Sequence, residues 1–312
     1  MSSANASKIQ HAVFYLSGIS GLEDIHVWIS IPFCLMYLTS ILGNSLILFI
    51  IKTDPSLHEP MYIFLSMLAI TDLGLSLSTM PTTLGIFWFN SRKISHDACF
   101  VQMFFIHLLT LIESAVLLSM AFDRFVAICN PLRYESILTS SRIAKMGLLS
   151  LLRGVALILP LPILLKWHQY CHDKVLSHSY CLHQEFMKMM ACSDIRVNIV
   201  YGFFVTLASE VLDFLLILLS YIMILKSVLS ITSHEGCLKA LNTSISHICI
   251  VLLFYTPETG LSLIYRFVNI SSPLVKTVMG YVYLLVPPLM NPILYSMKMK
   301  PIRARIIRVF IN

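Results

Sequence analysis

The chain has 312 residues, of which 57% are apolar or aromatic and 12% are charged, with a formal net charge of +6. A soluble domain carries about 25% charged residues. At that composition and a mean hydropathy of +0.81, an ordinary cytosolic enzyme, a disordered protein and a collagen-like fibre are excluded, which leaves a polytopic membrane protein.

Residues 1–27 contain His, Lys, Glu and Asp and no long apolar run, so no cleavable signal peptide is expected and the first span would act as its own insertion signal. Asn5-Ala6-Ser7 matches a glycosylation acceptor, which agrees with an outside N-terminus. A membrane helix needs about 20 apolar residues. Trp28 to Ile51 has no charge, Met61 to Phe89 only Asp72, and Phe100 to Phe122 only Glu113. Met146 to Leu165 holds Arg153, Val197 to Leu225 holds Glu210 and Asp213, Ala240 to Tyr265 holds Glu258, and Thr277 to Met297 holds none. Runs this continuous predict seven helices, not barrel strands. The fold class is an all-α membrane protein: a seven-helix bundle over 28–297, an extracellular tail over 1–27 and a cytoplasmic segment over 298–312.

Seven spans put the two ends on opposite sides. With the N-terminus outside, the inner loops and tail hold 12 Lys and Arg and the outer set holds 9, a modest bias toward that orientation. Five basic residues and no acid lie between Lys298 and Asn312. That segment reads as a short amphipathic eighth helix on lipid headgroups rather than a nucleic-acid arm. No internal repeat is visible, so an inverted-repeat transporter gains no support.

There are eight cysteines. Cys34, Cys129, Cys237 and Cys249 fall in or beside spans and read as small buried hydrophobes. Cys99, Cys171, Cys181 and Cys192 fall on the outer side, in an oxidising compartment, and allow three pairings. Cys99–Cys181 would pin the long loop over the bundle, and Cys171–Cys192 would close the rest. A zinc site with His168, His172, His178 and His183 is the rival, but the spacing is not a compact zinc pattern.

Gly43-Asn44, LHEPMY from Leu57, MAFDRFVAICNPLRY from Met120, Ser220-Tyr221, Ser246-His247-Ile248, Phe254-Tyr255 and PPLMNPILY from Pro287 span the chain. On these motifs the chain resembles a rhodopsin-like G-protein-coupled receptor, and more narrowly an olfactory receptor. The long cysteine-bearing loop and YRF at Tyr265 to Phe267 resemble the class I, fish-like branch, and family 51 within it. Three departures stand out: Phe125 follows Asp123-Arg124 in place of the usual Tyr, Thr243-Ser244 replaces Thr-Cys, and Glu258 puts an acid where an apolar residue is expected.

An ionisable group inside a membrane is expensive and defaults to a functional hypothesis. Asp72 and Glu113 lie near mid-membrane, with Asn44 and Asn291 at similar depth. Carboxylates with amides can hold a small cation or share a proton. The resemblance implies a sodium or water site at Asp72, Glu113 and Asn291 that collapses on activation; a hydrated structural network without an ion is the alternative. It also implies an activation switch of Asp123, Arg124, Tyr221, His247, Tyr255, Asn291, Pro292 and Tyr295, with Arg124 held by Asp123 at rest. No other cofactor is expected.

Arg266, Ser262 and Glu258 recur every four residues and so form one stripe on helix 6. The resemblance implies a carboxylic acid held by Arg266, with Ser262, the loop Gln184 and His107 completing the polar pocket and apolar side chains measuring the tail. Glu258 complicates this: ionised it would repel an acid and attract an amine, protonated it would donate to a ligand oxygen, and it has Lys166 and Arg266 as candidate ion-pair partners. Simple monocarboxylates come first, amphoteric or amine ligands second.

The expected function is a plasma-membrane odorant receptor coupled to a G protein of the Gs or olfactory type that raises cAMP. A metabolite sensor outside the nose is the alternative within that class. An ion or proton transporter using Asp72, Glu113 and Asp213 is the alternative outside it. No metal motif or nucleophile elbow suggests an enzyme.

Overall fold

The computed structural model describes residues 13–19, 21, 25–166, 175–189, 194–229, 234–267 and 273–311, with the side chains of 188, 234–243, 266, 267, 273, 310 and 311 outside the description. Among the described residues, seven helices are long and apolar enough to cross a membrane. They are α1 (His26–Thr53), α2 (Pro60–Phe89), α3 (His96–Cys129), α4 (Ser140–Lys166), α5 (Arg196–Leu229), α6 (His234–Phe267) and α7 (Pro273–Lys298), followed by α8 (Lys300–Ile311). Most run beyond the apolar stretches, because backbone carbonyls and amides stay paired where the chain leaves lipid. Pro60 opens α2 at a position where a missing N–H costs nothing. Ser95 and Thr139 cap α3 and α4, accepting from Ala98 N and Arg142 N. Asn90 ends α2 in the left-handed region at φ 49°.

The bundle is apolar outside as well as inside. Trp28, Phe49, Leu149 and Val200 are more than half exposed, as expected when the solvent is hydrocarbon. Polar residues turn inward: Asp72, Asp123, Asp213, Ser114 and Thr83 have no exposed surface. Small residues let the helices approach, and Gly43 of α1 lies against the Pro292 ring of α7. Of the cysteines expected to be buried, Cys34 and Cys129 are half-buried and Cys249 is exposed on α6. Facing lipid, Cys249 needs no core position to be satisfied. Cys237 has no described side chain.

One end of the bundle carries a lid that the periodicity did not predict. Strand β1 (Val13–Leu16) sits between β2 (Lys93–Ser95), antiparallel, and β3 (Val175–Leu176), parallel. Phe14 and Leu16 are buried while Val13 and Tyr15 are exposed, the alternation of a half-buried strand. The Cys99–Cys181 disulfide joins the start of α3 to the loop beneath this sheet. Gln102 reinforces the joint: its Oε1 accepts from Cys181 N at 2.9 Å and its Nε2 donates to Ser78 O at 2.8 Å. Asn5, Cys171 and Cys192 lie outside the described residues, so the second expected disulfide and the acceptor site have no structural account.

Candidate functional site

Beneath the lid a cavity of about 560 Å³ opens between α3, α4, α5, α6 and α7. Its walls are mostly apolar, with Leu111, Leu161, Ile199, Phe203 and Leu261 among them. Its roof is the two-turn helix His183–Met189, which the disulfide loop delivers to the bundle. Of the residues expected to bind ligand, His107, Gln184, Glu258 and Ser262 all line it. The backbone N–H of His183 donates to His107 Nε2 at 3.4 Å, tying the roof to α3. Arg266 lies on the last turn of α6, and its side chain is outside the described residues. Its neighbour Tyr265 lines the cavity and donates to Glu185 Oε1 at 2.6 Å.

Several polar wall residues were not singled out in the sequence. Asn198, Thr206 and Glu210 of α5 and Tyr283 of α7 also face the cavity. The Asn198 side chain is buried and both its amide atoms lack a partner. Tyr283 shares a hydrogen bond of 2.9 Å with Thr110. A π turn, Leu207–Val211, interrupts α5 here. Such turns widen a helix and re-aim its side chains, and Glu210 meets the cavity while Asp213, one turn on, points to α4. Glu258 is hydrogen-bonded to Glu210; an ion pair with Lys166 or Arg266 was one of three options for it, and the Arg266 side chain lies outside the described residues.

Below the cavity Asp213 organises four helices. Arg153 of α4 grips it bidentately, Nη1 to Oδ1 at 2.9 Å and Nη2 to Oδ2 at 2.5 Å. Ser114 of α3 donates to Oδ2 at 2.9 Å and stands 2.7 Å from the Tyr255 hydroxyl of α6. Tyr255 was expected as a switch residue; its link through Ser114 to an ion pair was not. Deeper still, Asn291 Nδ2 donates to Asp72 Oδ2 at 3.0 Å and Glu113 Oε1 at 3.4 Å, so the three residues expected to form one polar site do converge. Asn44 does not join them. Its amide donates to the Ser40 and Pro288 carbonyls, each at 3.0 Å, and bridges α1 to α7.

At the end opposite the lid, Arg124 donates to Asp123 Oδ2 through Nη2 at 2.6 Å and Nε at 2.9 Å. Tyr134, in the loop after α3, donates to Asp123 Oδ1 at 2.7 Å. Burial, with Asp123 adding to it, pushes the Tyr134 hydroxyl well above its usual range and keeps it a donor. Phe125 removes a neighbouring phenol, yet Asp123 still receives one from Tyr134. Tyr221 of α5 is hydrogen-bonded to His247 Nδ1 of α6. Tyr295 is buried, its hydroxyl 3.8 Å from the Met120 sulfur, and Pro292 packs on Gly43. Arg305 of α8 pairs with Asp54 after α1, which fixes the terminal helix against the bundle.

A family model described as "Olfactory receptor" matches residues 33–312. Human olfactory receptor 51G2 is 62% identical over 306 residues, covering 98% of this chain and 97% of that one. Human olfactory receptor 51G1 is 61% identical over 304 residues, covering 97% and 94%. Squid rhodopsin shares the fold, with a TM-score of 0.71 at 18% identity over 92% of this chain and 86% of that one. The chain therefore belongs to the olfactory receptor family, multi-pass plasma-membrane receptors of the G-protein-coupled class that answer small molecules and are not enzymes.

Proposed function

We propose that this receptor detects a small amphiphilic odorant in the cavity beneath the lid and raises cAMP through a G protein of the Gs or olfactory type. The observation that carries this reading is the cavity itself: apolar walls, with His107, Gln184 and Ser262 as convergent polar groups. The class that the resemblance implies is an aliphatic carboxylic acid, its head held by those three residues and Arg266 and its tail lying along the apolar walls. The lid end faces outside, with residues 1–27 extracellular and 298–312 cytoplasmic. This orientation draws support from the disulfide, which belongs to an oxidising compartment, from β1 pairing at that same end, and from the basic residues of α8 at the other.

Ligand binding selects a bundle state whose inner end admits the G protein. Tyr255 lies three residues from Glu258 on α6, so a ligand that shifts α6 strains its link through Ser114 to Asp213. In our reading Arg124 leaves Asp123, and Tyr221, His247, Tyr295 and the Asn291-Pro292 turn rearrange with it. Asp72, Glu113 and Asn291 are the residues that would hold a sodium ion. Asn291 Oδ1 is buried without a partner, which fits an oxygen-ligand cation site in the resting state.

The test is a cAMP reporter in cells expressing the full chain with a Gs-type α subunit, against an alkanoic acid series and its alcohols, at verified surface expression. His107→Ala, Ser262→Ala and Arg266→Ala are each expected to lower acid potency by about tenfold or more, the effect of losing a hydrogen bond to a charged group. Acid responses that survive all three substitutions would place the head group elsewhere. A signal carried by another G protein type would overturn the coupling alone.

A further inference from the structure

The cavity is polar at two levels. Gln184 and Asn198 stand near the roof, Ser262 lies between, and Glu210 and Glu258 stand at the floor. Glu258 lies one turn, about 6 Å, below Ser262 along α6, and Glu210 lies three turns, about 18 Å, below Asn198 along α5. Glu210 lies within the π turn of α5.

Two carboxyl groups hydrogen-bond each other only with a proton between them. The Glu210–Glu258 pair therefore carries at most one negative charge, and its bonding is incomplete. Glu258 is 6% exposed and its Oε2 has no partner. Asn198, 1% exposed with an unpartnered amide, shows independently that the cavity wall is built for a polar occupant. Among the described residues that line the cavity, the carboxyls of Glu210 and Glu258 are matched by no Lys or Arg side chain. Arg153 is spent on Asp213, and Glu113 adds a further acid close to Glu258.

Three kinds of ligand end can be compared at such a floor. A carboxylate adds a second negative charge in a medium of low dielectric. A bare alkyl end leaves Glu258 Oε2 buried and unsatisfied. An ammonium brings three N–H donors and the missing positive charge, forming charge-assisted bonds to both carboxyls.

We propose that Glu210 and Glu258 form a cation subsite at the cavity floor that takes the ammonium end of an aliphatic amine and sets the receptor's ligand preference. This rests on the cavity being the odorant site. It leaves the roof residues free to hold a carboxylate, so an ω-amino acid can occupy both levels at once.

The experiment uses the full-length receptor in two readouts, the cAMP reporter and the melting temperature of purified receptor in nanodiscs, which needs no G protein. The probes are n-alkylamines, n-alkanols and n-alkanoic acids of five to nine carbons, and ω-amino acids of the same lengths. Amines or ω-amino acids are expected to raise the melting temperature and to activate, with potency above that of the matched alcohol. Glu258→Gln and Glu210→Gln are each expected to cost amines roughly tenfold to a hundredfold in potency, the range for hydrogen bonds to charged groups, and to move alcohol potency little. Folding is controlled within the same preparations by surface expression and by a cooperative melting transition of the ligand-free variants. Acids or alcohols that bind while every amine and ω-amino acid is silent would overturn the cation subsite and leave the cavity reading intact. Amine binding indifferent to both substitutions does the same. If no probe of any class shifts the melting temperature, the cavity reading falls and this inference with it.

Discussion

Asp213 has no exposed surface, and it sits inside a membrane helix. A carboxylate there is tolerable only with a partner, and Arg153, reaching from α4, is that partner. Breaking a buried pair from one side leaves an uncompensated charge and costs about 3–5 kcal/mol, whereas replacing both members with apolar residues of similar volume is often near neutral. Asp213→Asn is therefore expected to lower surface expression and melting temperature sharply, and Asp213→Leu combined with Arg153→Met to recover most of the loss. A single variant as stable as the parent, or a double variant no better than the single, would show the pair is not structural. Both charges were legible in the sequence as ionisable residues within spans. Their pairing was not, because 60 residues separate them and no local pattern links a residue of α4 to one of α5. Glu210 was legible in the same way, but its place beside Glu258 was not, because no local pattern links a residue of α5 to one of α6.

Helix packing decides what the elements can tolerate. A Cβ at Gly43 would lie 2.9 Å from Pro292 Cβ, while one at Gly85 would meet nothing within 4 Å. Gly43→Ile must push α1 from α7 and disturb both the Asn44 bridge and the Asn291 turn; overpacking of this kind costs about 1–3 kcal/mol. Gly85→Ile on the same terms is expected to be silent. Comparing the two variants by melting temperature separates close helix approach from a general intolerance of glycine replacement, and equal losses would contradict the packing argument. The seven spans were readable because each apolar run meets the thickness of the bilayer. The lid was not readable, since its strands are two to four residues long and two of them pair through segments far apart in sequence. The loop cysteine Cys181 was the one legible sign that something is held over that end. Of the residues that line the cavity, His107, Gln184, Glu258 and Ser262 were singled out through motif resemblance and the four-residue stripe of α6. The stripe of Asn198, Gly202, Thr206 and Glu210 on α5 has the same spacing and was equally visible, but no motif drew attention to it.

Across the whole molecule the polar groups form a column from the cavity to the Arg124 end: Glu258 with Glu210, then Tyr255, Ser114 and Asp213, then Asp72, Glu113 and Asn291, then Tyr221 with His247, and finally Asp123 with Arg124. Each set bridges different helices except the last. A ligand shifts the bundle only by its difference in affinity between two packings, and in the proposed function these bridges are what the two packings exchange. The Asp72 site is the place to test this from a distance. A cation held by Asp72, Glu113 and the spare oxygen of Asn291 stabilises whichever packing keeps those groups together. At ten times its Kd it contributes about 1.4 kcal/mol, which corresponds to roughly 2–4 °C in melting temperature per kcal/mol for a protein of comparable size. Replacing sodium chloride with choline chloride at constant ionic strength is expected to lower the melting temperature of the purified receptor by a few degrees and to raise agonist potency. Asp72→Asn is expected to abolish both dependences, because an amide offers the ion no charge. A parent receptor whose melting curve ignores the exchange would mean that the three residues form a hydrogen-bonded network complete without an ion, with Asn291 Oδ1 satisfied by water; the column would then be coupled by hydrogen bonds alone.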